Sequence, residues 1–227
     1  MKKIFVSIII FISSFTSSLG HNDHSNQFDF IEYELFRNSK LIGFHKYNFE
    51  RKDEILTVNS EVEFKITKLG VDLYTYKAKS IENYKNDILF KFSSKTKQNK
   101  KEKYVNVTLD NALKELTVDG SSYKGKTSMQ NIVGTWWNHE IVKAKAQISA
   151  ISGRVIEQNV KFIGKQVITL NGKEYNALHF NFSSSDKKLP KEKRLNTDIW
   201  YDEKSFLWLK ASFDKKGYWE YKLKNYK

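Results

Sequence analysis

Residues 56–66, LTVNSEVEFKI, put Leu56, Val58, Ser60, Val62, Phe64 and Ile66 on one side of an extended chain and Thr57, Asn59, Glu61, Glu63 and Lys65 on the other. Successive strand side chains point to opposite faces, so this period of two predicts a β-strand with one buried face. Upstream, Lys52-Asp53-Glu54 turns back into an alternating run over 41–49, and Arg37-Asn38-Ser39-Lys40 turns again into 28–36. Downstream, Gly70 ends the strand and a run over 71–81 carries Tyr74 and Tyr76 two apart. The turn 83–87 leads to 88–97, the polar cluster 98–101 to 103–109, and Asp110-Asn111 to a short strand ending at Val118. Six to eight antiparallel strands are therefore expected before residue 120.

The stretch 120–135 breaks the pattern with Ser121-Ser122, Gly125 and Gly134. Thr135 then reads as the cap of a short helix, since Trp137, Ile141, Ala144 and Ile148 are spaced by four, three and four. A ribbon follows: 160–163, a Gly164-Lys165 turn, 166–170, Asn171-Gly172 and 173–182. Asn171-Gly172 is the strongest local signal, because a two-residue type I′ turn needs positive φ at both positions. A charged loop over 183–196 holds the single proline, and strands over 197–201, 206–213 and 218–223 end the chain. About eleven strands and one short helix, without βαβ units or a repeat of about 20–50 residues, predict an all-β antiparallel fold. A sheet of that size curls, so a strongly curved sheet or incompletely closed β-barrel spanning 28–227 as one domain is expected.

The 227 residues contain no Cys, which excludes disulfide scaffolds, thiolate metal sites, cysteine nucleophiles and lipid attachment at cysteine. An aromatic content of 15% excludes an intrinsically disordered chain. Lys2 and Lys3 precede the apolar run 4–12, and Ser18 and Gly20 supply small residues before His21. That order predicts a cleaved signal peptide over 1–20, since the apolar run falls short of the roughly 20 residues of a membrane span. A polar, flexible lead over 21–27 follows, and the expected location is periplasmic or secreted.

Removing Lys2 and Lys3 from 39 basic residues leaves 37 against 26 acidic, a formal charge of +11. Only Arg37, Arg51, Arg154 and Arg194 are arginines. Lysine lacks the planar fork that reads guanine or grips phosphate bidentately, so nucleic acid is not the expected partner, whereas an anionic membrane surface remains open.

No G-x-S-x-G elbow, phosphate-gripping glycine loop, H-E-x-x-H or C-x-x-C occurs, and no catalytic residue, metal or cofactor is assigned. After cleavage, His21 with Asp23 and His24 offers an amine and imidazoles to Cu(II) or Ni(II), set against a plain flexible tail. His139-Glu140 beside Trp136, Trp137 and Asn138 offers an acid–base pair, but neighbouring helical residues point about 100° apart and the tryptophans also suit a core. His45 and His179 fall in strands, where a hydrogen-bonded or surface role is ordinary. The densest aromatic block is Asp198-Ile199-Trp200-Tyr201-Asp202 with Phe206, Trp208 and Trp219. It reads either as cross-strand pairing or as the wall of an apolar cavity. The candidate ligand-binding set is therefore Tyr74, Tyr76, Trp136, Trp137, His139, Asp198, Trp200, Tyr201 and Trp208.

Tyr33, the run Ile42-Gly43-Phe44-His45-Lys46-Tyr47, Phe64 with Leu69, Tyr74-Thr75-Tyr76, Glu82 with Tyr84, Trp137-Asn138 and the block 198–202 together resemble a bacterial exported family, domain of unknown function 6134. The resemblance spans most of the chain after the leader. It implies export and a shared fold but no activity, and the cysteine pair that many such proteins carry is missing. At the level of fold alone, the hairpin string is similar to the open β-barrels of envelope lipoprotein carriers. The leading expectation is an exported, non-enzymatic protein that holds a hydrophobic or lipid-like ligand in a curved sheet. A periplasmic hydrolase using His139, Glu140 or Asp198, and an envelope interaction module with lysine-rich loops, are the alternatives.

Overall fold

Turn chemistry and pleat together dictate the architecture. A computed structural model describes residues 27–190 and 193–227. The expected leader and most of the polar lead, with His21, Asp23 and His24, lie outside the described residues. Seven strands precede residue 121: β1 (Phe30–Arg37), β2 (Lys40–Lys52), β3 (Ile55–Lys68), β4 (Val71–Lys85), β5 (Ile88–Gln98), β6 (Lys101–Asp110) and β7 (Glu115–Gly120). Then come β8 (Tyr123–Ser128), β9 (Ile132–Val133), β10 (Ala146–Ile148), β11 (Val155–Leu170), β12 (Lys173–Ser184), β13 (Asn196–Asp202), β14 (Trp208–Asp214) and β15 (Tyr218–Tyr226). The turns that join them use residues able to adopt positive φ, among them Asn38-Ser39, Asn86-Asp87 and Asn171-Gly172 (φ 52° and 77°).

All fifteen strands form one sheet in the order β8-β7-β6-β5-β4-β3-β2-β1-β15-β14-β13-β12-β11-β10-β9. Its two edge strands, β8 and β9, are only three residues apart in sequence, so the sheet must curl back on itself. The seam is made by close approach rather than by pairing of β8 with β9. A Cβ on Gly120, at the end of β7, would stand 2.6 Å from the Ser152 carbonyl and 2.8 Å from Gly153 Cα in the β10–β11 connection. Only glycine fits there. The result is an all-β, incompletely closed barrel, as the alternation of 56–66 predicts.

The strand count is fifteen rather than about eleven, and the local differences are three, two that add strands and one that merges two expected strands into one. The segment read as a break contains β8, whose YKGKTS has no apolar face because it is a solvated edge. The expected helix from Thr135 is instead a single 3-10 turn, His139–Val142, capped by the Asn138 side chain. Trp136 sits at φ 63°, which no helix admits, and Ile148 belongs to β10. The helical spacing of the four apolar residues is therefore a coincidence of loop and strand. Finally, Gly164 makes a bulge within a continuous β11 rather than a turn, because Phe162 and Gly164 pair with the consecutive Phe180 and His179 of β12.

Candidate functional site

The pairing registers put whole rows of inward side chains across the sheet. One row reads Phe49, Val58, Glu82, Phe92, Val107 and Val118, from β2 to β7, and it is filled. The next reads Tyr47, Ser60, Ser80 and Ser94, and the one beyond it His45, Val62, Ala78 and Thr96. Three serines and an alanine on adjacent strands leave a dent that larger residues would occupy. The result is a cavity of about 240 Å³ between the main core and a smaller cluster of Leu35, Val62, Phe64 and Tyr76.

Across the dent stands the segment Gly134–Trp137, which leads from β9 into the interior. Tyr47 donates its hydroxyl to the Thr135 carbonyl, Tyr201 donates to the Trp136 carbonyl at 2.9 Å, and Trp137 Nε1 donates to Glu82 at 3.0 Å. These three anchors from β2, β13 and β4 hold the left-handed turn at Trp136. Its ring meets Trp208, Phe213 and Tyr221 edge-on, at 5.4–6.5 Å.

Polar groups near the dent differ in how they are satisfied. Ser60 and Ser80 bond each other at 2.9 Å, and Ser94 donates to the Ala150 carbonyl. His45 is buried, lines the cavity and has no hydrogen-bond partner on either ring nitrogen, and burial lowers its pKa to about 3. It is therefore a neutral imidazole with one free donor and one free acceptor. The Trp136 Nε1 lining the same space is also unpartnered, and the Thr96 and Thr135 hydroxyls approach Tyr76 and Glu82 without reaching hydrogen-bond geometry. Arg37, Trp200 and Trp208 also carry unpartnered buried nitrogens away from the cavity, but four such groups gathered around one space mark a place where a ligand or water completes the bonding.

Glu82, one row deeper, has the opposite character. Burial raises its pKa to about 7, while donors at 2.6 Å from Tyr84 and 3.0 Å from Trp137 oppose that shift. Its bonds are internal, so it ties the 134–137 segment to β4.

The nine candidate ligand-binding residues separate by strand parity. Tyr76 and Trp136 line the cavity. Tyr74 packs on Phe64 at the smaller cluster, Trp137 turns toward Phe49 and Tyr84, and Tyr201 and Trp208 lie in the core beneath. Asp198 and Trp200, of opposite parity to the inward Tyr201, lie on the outer face, where Trp200 is buried, 8% exposed, against the His179 ring and Lys210. There His179 Nε2 bonds Asp198 at 2.9 Å and its ring stacks on Trp200 at 4.2 Å. His139 stacks on Phe206 and, contrary to the helical expectation, reaches Glu140 at 3.1 Å. Glu140 also pairs with Lys143 at 2.9 Å, and the His139 and Lys143 contacts hold its pKa down to about 2. Neither the His139–Glu140 pair nor Asp198 lines the cavity.

His45, Thr96, Thr135 and the serine row are the residues that sequence reasoning missed. Their signal was present: Ser60 interrupts the apolar face of 56–66, and Ala78 and Ser80 extend the Tyr74–Tyr76 face of β4. Among the described residues no group of three His, Cys, Asp or Glu could hold a metal ion, and no helix is long and apolar enough to cross a membrane.

A family model described as Domain of unknown function (DUF6134) matches residues 33–224. No curated protein matches the sequence. Among solved structures, the chain is similar to a β-barrel-like protein of domain of unknown function DUF1849 from Brucella abortus, with 14% identity over 87% of this chain and 95% of that chain and a TM-score of 0.61. At that identity the likeness is one of fold alone. A DUF1329 family protein from Desulfovibrio piger aligns over 90% of this chain and 88% of that one with 9% identity, but its TM-score of 0.19 gives the alignment no structural weight.

Proposed function

The chain belongs to the DUF6134 family, and from that premise and the chemistry of its cavity we propose that it is an exported, non-enzymatic binding protein for a small amphiphile, an apolar chain or ring carrying one neutral polar group. The observation that carries this reading is the unpartnered His45 at the wall of a space where a serine row and two threonines stand among aromatic and aliphatic side chains. A neutral imidazole accepts from and donates to a hydroxyl, carbonyl or amide, and burial against it disfavours a charged head group. Size narrows the class further. A cavity of about 150 Å³ admits a benzene ring, so 240 Å³ holds about ten non-hydrogen atoms, a segment of one acyl chain rather than a diacyl lipid. Export is supported by the Lys2-Lys3, apolar and small-residue order of 1–20, and N-terminal sequencing of the secreted chain should begin at His21.

Thermal shift with decane and 1-decanol tests the binding reading. Decanol should raise the melting temperature more than decane, and His45→Phe should abolish that difference. Organic extracts of natively purified protein should contain an amphiphile by mass spectrometry. Extracts free of one, together with no shift by either probe, would overturn the reading.

A further inference from the structure

The strand directions assign the following connections to one of two rims. One rim carries the connections β1–β2, β3–β4, β5–β6, β7–β8, β10–β11, β12–β13 and β14–β15; the other carries β2–β3, β4–β5, β6–β7, β8–β9, β11–β12 and β13–β14. Taking each connection with the residue on either side and counting only described residues, the first rim has twelve Lys and Arg against two acids, Asp186 and Asp214. The second rim has five against seven. Lysines that merely guard strand edges would not sort between rims in this way. Among the described residues, none of the twelve first-rim cations pairs with a carboxylate, whereas on the second rim Lys85 pairs with Glu54 at 3.1 Å.

The same rim carries an apolar projection. Residues 65–68 of β3 extend beyond their last pairing with β2, at Phe64, and residues 71–75 of β4 extend beyond their last pairing with β5, at Tyr76. The tip of this hairpin is Leu69, 95% exposed, followed by Val71 at 61% and Leu73 at 56%. Three large aliphatic side chains held clear of the sheet beside Lys68, with Lys100 and Lys101 on the next connection, form an apolar point in a cationic field.

We propose that this rim docks on an anionic phospholipid surface, with the β3–β4 tip entering between head groups and the lysines contacting their phosphates. Charge complementarity selects an anionic surface, and the Leu69–Leu73 tip selects a bilayer over a purely polar polyanion, which offers an aliphatic side chain nothing. The cavity lies on the side of the main core nearer this rim, but docking stands whether or not the cavity takes a ligand.

Flotation with ligand-free vesicles provides the test. Phosphatidylglycerol-containing vesicles should bind the protein and pure phosphatidylcholine vesicles should not, with binding falling at least about tenfold from low to high salt. The Lys100→Glu/Lys101→Glu double variant and Leu69→Asp should each weaken binding several-fold with unchanged melting temperature, since these residues are exposed. Lys52→Glu/Lys204→Glu on the opposite rim should leave it unchanged. Equal binding to both vesicle types, or equal effects of reversal at the two rims, would overturn the proposal. So would competition by duplex DNA at matching salt with no effect of Leu69→Asp, which would reassign the rim to a polyanion.

Discussion

The two halves of the barrel interior are built on the same pleat and the same strands, yet one is solid and the other hollow. In the solid half the row from Phe49 to Val118 interlocks, and its one charged group, Glu82, has partners in Tyr84 and Trp137. One row away, Ser60, Ser80 and Ser94 stand where large residues would fit, and the polar groups around them lack partners. Side-chain volume at a few in-register positions decides between core and cavity, and unpartnered polar groups gather where that volume is missing.

The largest effect that could break this contrast is at Glu82. At pH 5 its carboxyl is protonated, so Glu82→Leu removes no buried charge but orphans the Tyr84 hydroxyl and the Trp137 indole. At about 1–3 kcal/mol for each orphaned buried group, urea unfolding should show a loss of about 2–6 kcal/mol. A loss below about 1 kcal/mol would mean that Glu82 is not the tie of the 134–137 segment.

The pH dependence of the two groups has opposite sign. Glu82 has its folded pKa raised to about 7, so between about pH 4.5 and 7 the folded state keeps a proton that the unfolded state has lost, and its contribution to stability falls as pH rises. His45 has its folded pKa lowered to about 3, so between about pH 3 and 6.5 the unfolded state holds the extra proton and stability rises with pH. Each slope is on the order of 1.4 kcal/mol per pH unit, and between pH 4.5 and 6.5 they cancel. In urea melts over that window, Glu82→Gln should therefore gain stability with rising pH and His45→Phe should lose it, by about 3 kcal/mol each. Slopes of the same sign would show that one of the two is not buried as described.

Much of the fold was legible because inward and outward residues alternate without error over long stretches. The run 56–66 is half-buried along its length, and the turns at Arg37–Lys40, Gly70 and Asn171-Gly172 fall where their chemistry requires. The segment 134–148 was not legible, because its conformation is imposed from outside: the hydroxyls of Tyr47 and Tyr201 and the carboxylate of Glu82 hold a backbone that local propensity reads as helix. The site was half legible. Tyr76 and Trp136 were found by their aromaticity, but the cavity exists because small residues coincide across strands, and such a coincidence appears only once the register is known. The block 198–202 misled for a related reason, since its alternation sends Asp198 and Trp200 to the outer face while Tyr201 turns in.

The smallest expected effect sharpens the contrast between the halves most directly, because it asks the same question of both. Enlarging a residue in a filled row forces neighbours off their rotamers, so Val107→Phe should lower stability by about 1–3 kcal/mol. Ser94→Val, two registers from it on the neighbouring strand, adds volume where the cavity has room. It loses one hydrogen bond to the Ala150 carbonyl, about 1 kcal/mol, and regains a similar amount by burying methyl groups, so chemical denaturation should differ from wild type by less than about 1 kcal/mol. The same substitution removes space from the cavity, and the melting-temperature shift with 1-decanol should shrink while stability holds. Comparable losses from Val107→Phe and Ser94→Val would mean that the serine row is packed as tightly as the core and that the space beside His45 is not a binding volume.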